Sequence, residues 1–119
     1  DDSEENYVNI IKNYPKQIDM YVMSKCPACN KSKELFNRYN IMEKFNIKDA
    51  RQNVDYLKSK SVSSVPYFEI NNKSTKGSPH NIKELVNKLS LNNPSESYQN
   101  SDDSDECSKE LCFIPSEKN

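Results

Sequence analysis

The segment Cys26-Pro27-Ala28-Cys29 constrains this chain more than any other feature. It follows an apolar run at residues 18–23 and precedes a segment with helical periodicity, so it stands where a strand gives way to a helix. The free N–H groups and the positive dipole end of that helix would stabilise a thiolate on the first sulfur. The second sulfur, one turn further in, is close enough to attack a mixed disulfide formed by the first. Pro27 suits the first turn because it lacks an N–H and has a helical φ. The motif indicates thiol–disulfide exchange.

Length and composition allow one small domain and a tail. The chain has 119 residues, of which 34% are hydrophobic, so the core must be compact. No apolar run approaches the roughly 20 residues of a membrane-spanning helix. We therefore expect a domain at residues 1–91 and a disordered, acidic tail rich in Ser, Asp and Asn at residues 92–119.

The charge is unevenly distributed along the chain. The tail carries seven acidic residues and two lysines, a net charge of −5, whereas the whole chain has a formal charge of −1. A mildly basic domain with an acidic tail argues against binding to nucleic acid, because the tail would compete for the same surface. We expect no nucleic-acid partner, no membrane span and a monomer.

Hydrophobic periodicity predicts the element order α-β-α-β-α-β-β-α. Helical spacing marks residues 6–14, the segment after the cysteine pair up to Asn40, the segment after a cap at Asp49, and a last helix opened by Ser78 and Pro79. Four segments have the pattern of strands: residues 18–23, 41–48, 65–70 and 73–76. The β-α-β half requires a right-handed crossover between parallel strands.

This order, with Cys-X-X-Cys after the first strand and Val65-Pro66 opening the third, resembles the glutaredoxins of the thioredoxin superfamily over residues 6–91. The resemblance implies an α/β, thioredoxin-like fold with a four-stranded mixed sheet flanked by helices. It also implies that Cys26 is the nucleophile and Cys29 the resolving cysteine. The Val65–Pro66 bond would be cis, and the Val65 backbone would pair with glutathione or an extended peptide like an added strand.

The same resemblance assigns substrate binding to Lys25, Val65, Pro66, Tyr67, Gly77, Ser78, His80 and Asn81. Lys25 adjoins the nucleophile, whereas family members usually carry a Lys a few residues earlier. Tyr67 would line the groove beside the proline. Residues 77–81 are similar to the family's Gly-Gly and acidic stretch, but neutral His80 and Asn81 stand where acids would hold the glutathione α-amino group.

The sequence therefore predicts a glutaredoxin-like thiol–disulfide oxidoreductase with no tightly bound cofactor. Glutathione would be its co-substrate, and disulfides of proteins or small molecules its substrates. Two alternatives stay open: a non-catalytic binding module with the same fold, and a thioredoxin-like oxidoreductase of secreted proteins that does not use glutathione. We expect Cys26 to be the more exposed and Cys29 the more buried cysteine.

Two further cysteines, Cys107 and Cys112, lie in the tail. A local disulfide between them is the simplest expectation. A second redox pair that passes electrons to Cys26 and Cys29, or a pair of free thiols, are alternatives. A zinc site shared by all four cysteines is disfavoured by the cost of closing the intervening loop, so we expect no metal. We expect the tail to be dispensable for the chemistry, although its apolar patch at residues 111–114 could dock on the domain or on a partner.

The compartment stays open between the cytoplasm and the lumen of the secretory pathway. The chain begins with Asp1 rather than Met, which removal of a signal peptide or an artificial boundary would explain. Four cysteines suit two disulfides in an oxidising compartment, or one redox pair and two incidental thiols in the cytosol.

Overall fold

The computed structural model describes residues 3–92 and 111–114. Its helices are α1 (Glu4–Asn13), α2 (Pro27–Arg38), α3 (Val54–Ser59) and α4 (Ile82–Lys88). Its strands are β1 (Ile18–Val22), β2 (Phe45–Asp49), β3 (Ser64–Val65), β4 (Tyr67–Ile70), β5 (Lys73–Lys76) and β6 (Cys112–Phe113). In these residues, no helix has the length and apolar composition needed to cross a bilayer.

The main sheet has four strands in the order β2-β1-β4-β5. β1 runs parallel to β2 and antiparallel to β4, and β5 is antiparallel to β4. The sheet is therefore mixed and flanked by helices, which confirms the fold class predicted from the sequence. The two short strands β3 and β6 form a separate antiparallel pair.

An aromatic cluster holds α2 against the sheet. The ring of Phe36 in α2 stacks on Phe45 of β2 with centroids 4.0 Å apart, and it meets the edge of Phe68 in β4 at 5.9 Å. Phe36 and Phe68 are fully buried. Each such pair contributes about 0.5–1.5 kcal/mol beyond the area it buries. The cluster thereby fixes α2, and with it the two cysteines of its first turn, relative to the end of β1.

Helices α1 and α4 are joined by a side chain that caps one of them. The Glu4 carboxylate accepts hydrogen bonds from the backbone N–H groups of Ile82, at 2.7 Å, and Lys83, at 3.3 Å. These are the first two residues of α4, whose N–H groups have no partner inside the helix. Tyr7, Val8 and Ile11 of α1 are buried, and Ile10 and Tyr14 pack against the core partly buried; the helical spacing had predicted a face of Tyr7, Ile10, Ile11 and Tyr14 without Val8.

The end of α2 explains why the predicted strand at residues 41–48 begins late. Asn40 has a φ of 59°, and the N–H of Ile41 donates to the carbonyl of Phe36 at 3.0 Å, which closes the helix in a Schellman motif. Ile41 is thus buried as part of a helix end, and Met42–Lys44 forms a 3₁₀ turn before β2 starts at Phe45. The prediction was wrong for the first half of this strand.

Two further boundaries differ from the prediction. The segment 65–70 is divided at Pro66, which has no N–H and whose carbonyl accepts from the Gly77 N–H at 2.8 Å. Helix α4 begins at Ile82 rather than after Ser78, because Asn81 is its N-cap and accepts from the Glu84 N–H at 2.8 Å. The predicted cap at Asp49 is confirmed, although it opens a 3₁₀ turn ahead of α3.

Candidate active site

Cys26 is the N-cap residue of α2. Its backbone is extended, with φ −104° and ψ 111°, and its Sγ accepts a hydrogen bond from the Cys29 N–H at 3.3 Å. Pro27 occupies the first position of the helix. The sulfur therefore lies at the positive end of the helix dipole, facing an N–H that the helix itself leaves unpaired. This is an arrangement that stabilises a thiolate.

Cys26 is joined to Cys112 by a disulfide bond, with Cα atoms 6.1 Å apart. The expected local disulfide between Cys107 and Cys112 is therefore wrong for Cys112; Cys107 itself lies outside the described residues. In this disulfide-bonded form Cys26 is only 1% exposed, which corrects our expectation of an exposed nucleophile. The docking of the apolar patch on the domain, considered from the sequence, is confirmed.

The strand that carries Cys112 pairs with the segment predicted to receive substrate. Val65 is opposite Cys112 and Ser64 is opposite Phe113, and the Ile114 N–H donates to the Ser63 carbonyl at 2.9 Å. The Val65–Pro66 peptide bond is cis, as predicted. The tail thus occupies the edge of β3 in the manner of an added strand, directly beside the cysteine pair.

Cys29 lies one turn along α2 and is fully buried, as predicted. Its sulfur is free. Burial raises the pKa of the Cys29 thiol, against the smaller opposing effects of a hydrogen bond from the Met23 backbone and the charge of Lys33. At neutral pH Cys29 is accordingly a thiol, and it becomes nucleophilic only when it loses its proton.

An open cleft of about 490 Å³ adjoins the disulfide. One wall comes from α2 and the other from the tail: Pro27, Ala28, Asn30, Lys31, Glu34, Leu111 and Cys112. Ala28, at the second middle position of the Cys-X-X-Cys segment, lines this cleft. Cys112 is half-buried, and it is therefore the partner in the disulfide that an outside molecule reaches more easily.

Neither Lys25 nor Tyr67 is among the described residues that line the cleft beside the disulfide. Lys25 is exposed and has a φ of 60°, a left-handed conformation at the junction that leads into Cys26. Tyr67 is buried, with its ring 5.7 Å from that of Tyr21 and its hydroxyl donating to the Glu69 carboxylate at 3.5 Å. It lines a different, smaller cavity of about 140 Å³. Substrate contact by either residue stays a prediction.

Gly77 and Ser78 hold the segments around the site in place through hydrogen bonds. Gly77 has a φ of 94° and donates its N–H to the Pro66 carbonyl, which ties β5 to the proline loop. The buried Ser78 hydroxyl accepts a hydrogen bond from Ser32 Oγ at 3.1 Å, and Ser32 Oγ also lies 3.2 Å from the Ala28 carbonyl. These contacts link the loop before α4 to the first turn of α2.

His80 and Asn81 have contacts within their own segment. The His80 Nδ1 lies 2.9 Å from the Glu84 carboxylate, which also accepts from the His80 backbone N–H at 2.8 Å. Asn81 caps α4, and the Glu4 carboxylate accepts from the next two N–H groups. The start of α4 is therefore filled by side chains of this chain, and glutathione binding by His80 or Asn81 stays a prediction.

Residues 3–92 and 111–114 contain no group of three or more His, Cys, Asp or Glu side chains that could hold a metal ion. A zinc site using Cys107 would involve a residue outside this part of the chain.

Sequence reasoning did not pair Cys112 with Cys26, and it missed the contacts of Ser32 and Glu4. Cys112 was assigned to the tail, although the apolar residues around it were the signal that it docks. Ser32 lies in the polar part of the α2 sequence, and nothing in that pattern marks its contact with Ser78. Glu4 has the sequence pattern of an ordinary acidic residue in a first helical turn, because its partners lie 78 and 79 residues further along the chain.

One family model matches a segment that contains both the first strands of the fold and the cysteine motif. Residues 18–74 match the family model of the glutaredoxins, a segment that includes β1, the cysteine pair of α2 and the cis-proline. Neither the curated proteins nor the solved structures gave a match. The match, the mixed sheet and the position of Cys26 and Cys29 agree, and residues 18–74 form a glutaredoxin-like segment with the thioredoxin fold.

Proposed function

We propose that this protein is a thiol–disulfide oxidoreductase in which Cys26 is the nucleophile and Cys29 the resolving cysteine. One observation carries the proposal. The Cys26 sulfur lies at the N-cap of α2, and it is bonded to a cysteine on an extended strand that pairs with Val65. This is where the cysteine of a disulfide substrate would lie if its backbone docked on β3.

The reaction has two exchange steps. In the first, the Cys26 thiolate attacks one sulfur of the substrate disulfide, forms a mixed disulfide and releases the other substrate sulfur as a thiolate. In the second, Cys29 loses its proton and attacks Cys26 Sγ. The second substrate sulfur leaves as a thiolate and takes up a proton. The substrate disulfide is reduced to two thiols, and the protein retains a Cys26–Cys29 disulfide.

Glutathione is the reductant that the family match favours. One glutathione thiolate would open the Cys26–Cys29 disulfide by forming a mixed disulfide at Cys26, and a second would remove the first as glutathione disulfide. This restores both thiols and needs no bound cofactor. In an oxidising compartment, the same exchange would run in the opposite direction and donate disulfides.

One observation favours a second candidate, an oxidoreductase of protein disulfides that does not depend on glutathione. The resemblance assigns glutathione contacts to residues 77–81, but here Asn81 and Glu4 cap the start of α4 and the His80 ring contacts Glu84. The edge of β3 is still available to an extended peptide when the tail leaves it. Under this candidate, a peptide disulfide would be a much better substrate than a glutathione mixed disulfide.

The experiment compares the reduction of a glutathionylated peptide with that of a peptide disulfide, using glutathione or dithiothreitol as the reductant. We expect the intact chain to turn over both substrates, and Cys26→Ser to abolish turnover with each. Turnover of only the peptide disulfide, and only with dithiothreitol, would favour the second candidate. No turnover with either reductant would leave a binding module and contradict the proposal.

A further inference from the structure

We infer that Cys112 is a third redox-active cysteine, carried on a tethered strand that takes the place of a peptide substrate and passes electrons from an outside thiol to the Cys26–Cys29 pair. This inference rests on the proposed function. It assigns to the tail a step that a Cys-X-X-Cys pair does not require.

The strand that carries Cys112 docks on β3 in a defined register. Val65 faces Cys112 across an antiparallel pair, and the Ile114 N–H donates to the Ser63 carbonyl at 2.9 Å. Cys112 and Ile114 pack against the core, whereas Phe113 between them is 72% exposed. This alternation is that of a strand with one face buried. The docking therefore uses both backbone and side chains, and it sets the register that brings Cys112 to Cys26.

The three sulfurs differ in how easily a thiol from solution can reach them. In the Cys26–Cys112 disulfide, Cys26 is 1% exposed and Cys29 fully buried, whereas Cys112 is half-buried at the wall of the open cleft. An outside thiol therefore reaches Cys112 more readily than either cysteine of α2. Attack on Cys112 would release Cys26 as the leaving thiolate at the N-terminus of α2, where it is stabilised.

The exchange balances in three steps. The Cys112 thiolate attacks Cys26 Sγ of the Cys26–Cys29 disulfide, and Cys29 leaves and takes up a proton. A small outside thiol, such as glutathione, then attacks Cys112 Sγ and releases the Cys26 thiolate. A second molecule of that thiol removes the first from Cys112 as its disulfide. Two outside thiols are oxidised, and Cys26, Cys29 and Cys112 end reduced.

Cys29 helps to keep the intermediate long enough for the second step. Its buried thiol holds its proton at neutral pH, so it attacks the Cys26–Cys112 disulfide slowly. Cys112 belongs to the same chain as Cys26, so its attack is intramolecular, and linked groups reach effective concentrations in roughly the millimolar range. The tail can therefore compete for Cys26 with a dilute protein substrate and then give way to it.

The test measures how quickly glutathione reduces the oxidised full-length chain. Samples are quenched with an alkylating reagent, and the remaining disulfides are mapped by mass spectrometry. We expect the Cys26–Cys112 disulfide to appear as an intermediate in the unchanged chain, and to be the starting disulfide of the oxidised Cys29→Ser chain before glutathione is added. We expect Cys112→Ser to slow the reduction of Cys26–Cys29 by about tenfold, since the tethered thiol is lost. The matched variant Cys107→Ser should stay within about twofold of the unchanged chain.

A second pair of variants tests the docking without removing a thiol. Ile114→Pro lacks the N–H that Ser63 accepts and should lower the yield of Cys26–Cys112 in the Cys29→Ser chain, whereas Ile114→Val should not. Reduction of Cys112→Ser at an unchanged or higher rate would overturn the inference, as would equal slowing by Cys107→Ser. If Cys112→Ser behaves in this way but still depends on Cys26 for turnover, only the relay fails and the proposed oxidoreductase remains.

Discussion

Cys26 and Cys29 differ in environment although only two residues separate them. Cys26 caps α2 and accepts an N–H, which favours a negative sulfur. Cys29 is enclosed by the core, which disfavours a negative sulfur and raises the pKa of its thiol. The start of α2 thus provides one sulfur, Cys26, that is suited to act both as a nucleophile and as a leaving group, and a second, Cys29, that reacts only after it loses a proton.

This difference predicts how the resolving step depends on pH. A mixed disulfide formed at Cys26 in the Cys112→Ser chain should be resolved about tenfold faster per pH unit between about pH 6 and 8, following the thiolate fraction of Cys29. Because the pKa of Cys29 is raised, the rate should keep rising past the ordinary thiol value of about 8.5. Stopped mixing with mass-spectrometric detection measures it. A rate that levels off near pH 7 would contradict the assigned environment.

Among the elements, the junction of α1 and α4 provides a sharp test of packing. The Glu4 carboxylate accepts two N–H groups at the start of α4, whereas its neighbour Glu5 is exposed in the same first turn of α1. Glu4→Ala should lower the free energy of unfolding by about 1–3 kcal/mol, because charge-assisted hydrogen bonds to half-buried N–H groups are lost. Glu5→Ala should change it by less than about 0.5 kcal/mol. Denaturant unfolding of both variants measures the difference. Equal effects would show that Glu4, like Glu5, stabilises the protein only through the dipole of α1 and not through its hydrogen bonds to α4.

The helix ends show the cost of a sequence with one glycine. Asn40, Ser61 and Ser90 have φ values of 59°, 62° and 54° where helices α2, α3 and α4 end. For residues other than glycine, the left-handed conformation costs roughly 1–2 kcal/mol. Replacing such a residue with glycine removes this cost, but the greater conformational freedom of glycine in the unfolded chain offsets part of the gain in stability.

We therefore expect Ser61→Gly to raise the free energy of unfolding by about 0.5–1 kcal/mol. Ser59→Gly, at the last residue of α3, removes the hydroxyl that donates to the Tyr56 carbonyl; it should lower the free energy of unfolding by a similar amount and serves as the control. Chemical denaturation of the reduced chain measures both changes. Destabilisation by Ser61→Gly would mean that the closure of α3 depends on the serine side chain rather than on the backbone.

The periodic elements could be predicted from the sequence, but some of their boundaries could not. Helix α1, strand β1 and the start of α2 follow from apolar spacing and from Pro27, and the polar strand β5 follows from the turn residues Asn71 and Asn72 before it. The strand at β2 was placed early because Ile41 alternates correctly with Phe45 and yet belongs to the end of α2. Helix α4 was placed early because Ser78 and Pro79 have the pattern of a cap, whereas the Ser78 hydroxyl is held by Ser32. In both cases a long-range or backbone contact prevailed over a valid local pattern.

Only part of the candidate site could be predicted from the sequence. Cys26, Cys29 and the cis-proline follow from a motif and a family resemblance, since each depends on local sequence. The pairing of Cys112 with Cys26 depends on two segments separated by 86 residues. Cys107 was the expected partner of Cys112 because it is close in the sequence. The sequence contains no pattern that would have favoured a distant cysteine instead. The apolar residues around Cys112 predicted docking, but not where.

At the scale of the whole molecule, the Cys26–Cys112 disulfide closes a large loop around most of the domain. In the chain-entropy account, a crosslink over a separation of 86 residues stabilises the folded state by about 4.6 kcal/mol. The Cys29→Ser chain should therefore resist denaturant more strongly when oxidised than when reduced. The double variant Cys29→Ser with Cys112→Ser should show no such difference. Equal stability of the two redox forms of the single variant would mean that the tail is not crosslinked to the domain.

The core itself does not need the tail. The residues of the buried core that the structure describes all lie before Asn92, while Cys112 and Ile114 are only partly buried. A chain ending at Asn92 should fold and carry out one round of exchange, as measured by circular dichroism and by reduction of a small disulfide under single-turnover conditions. Its slow step should be recovery by glutathione, as in Cys112→Ser. Failure of this shortened chain to fold would mean that residues 111–114 are part of the core.

The central claim is that Cys26 is the attacking sulfur. The most direct measurement uses the reduced Cys112→Ser chain, in which Cys26 is freed from its tail partner, and treats it briefly at pH 7 with a substoichiometric alkylating reagent. Peptide mapping then gives the order of labelling. The account predicts that Cys26 is labelled first and that Cys29 is protected by its burial. Labelling of Cys29 before Cys26, or equal labelling of both, would contradict it.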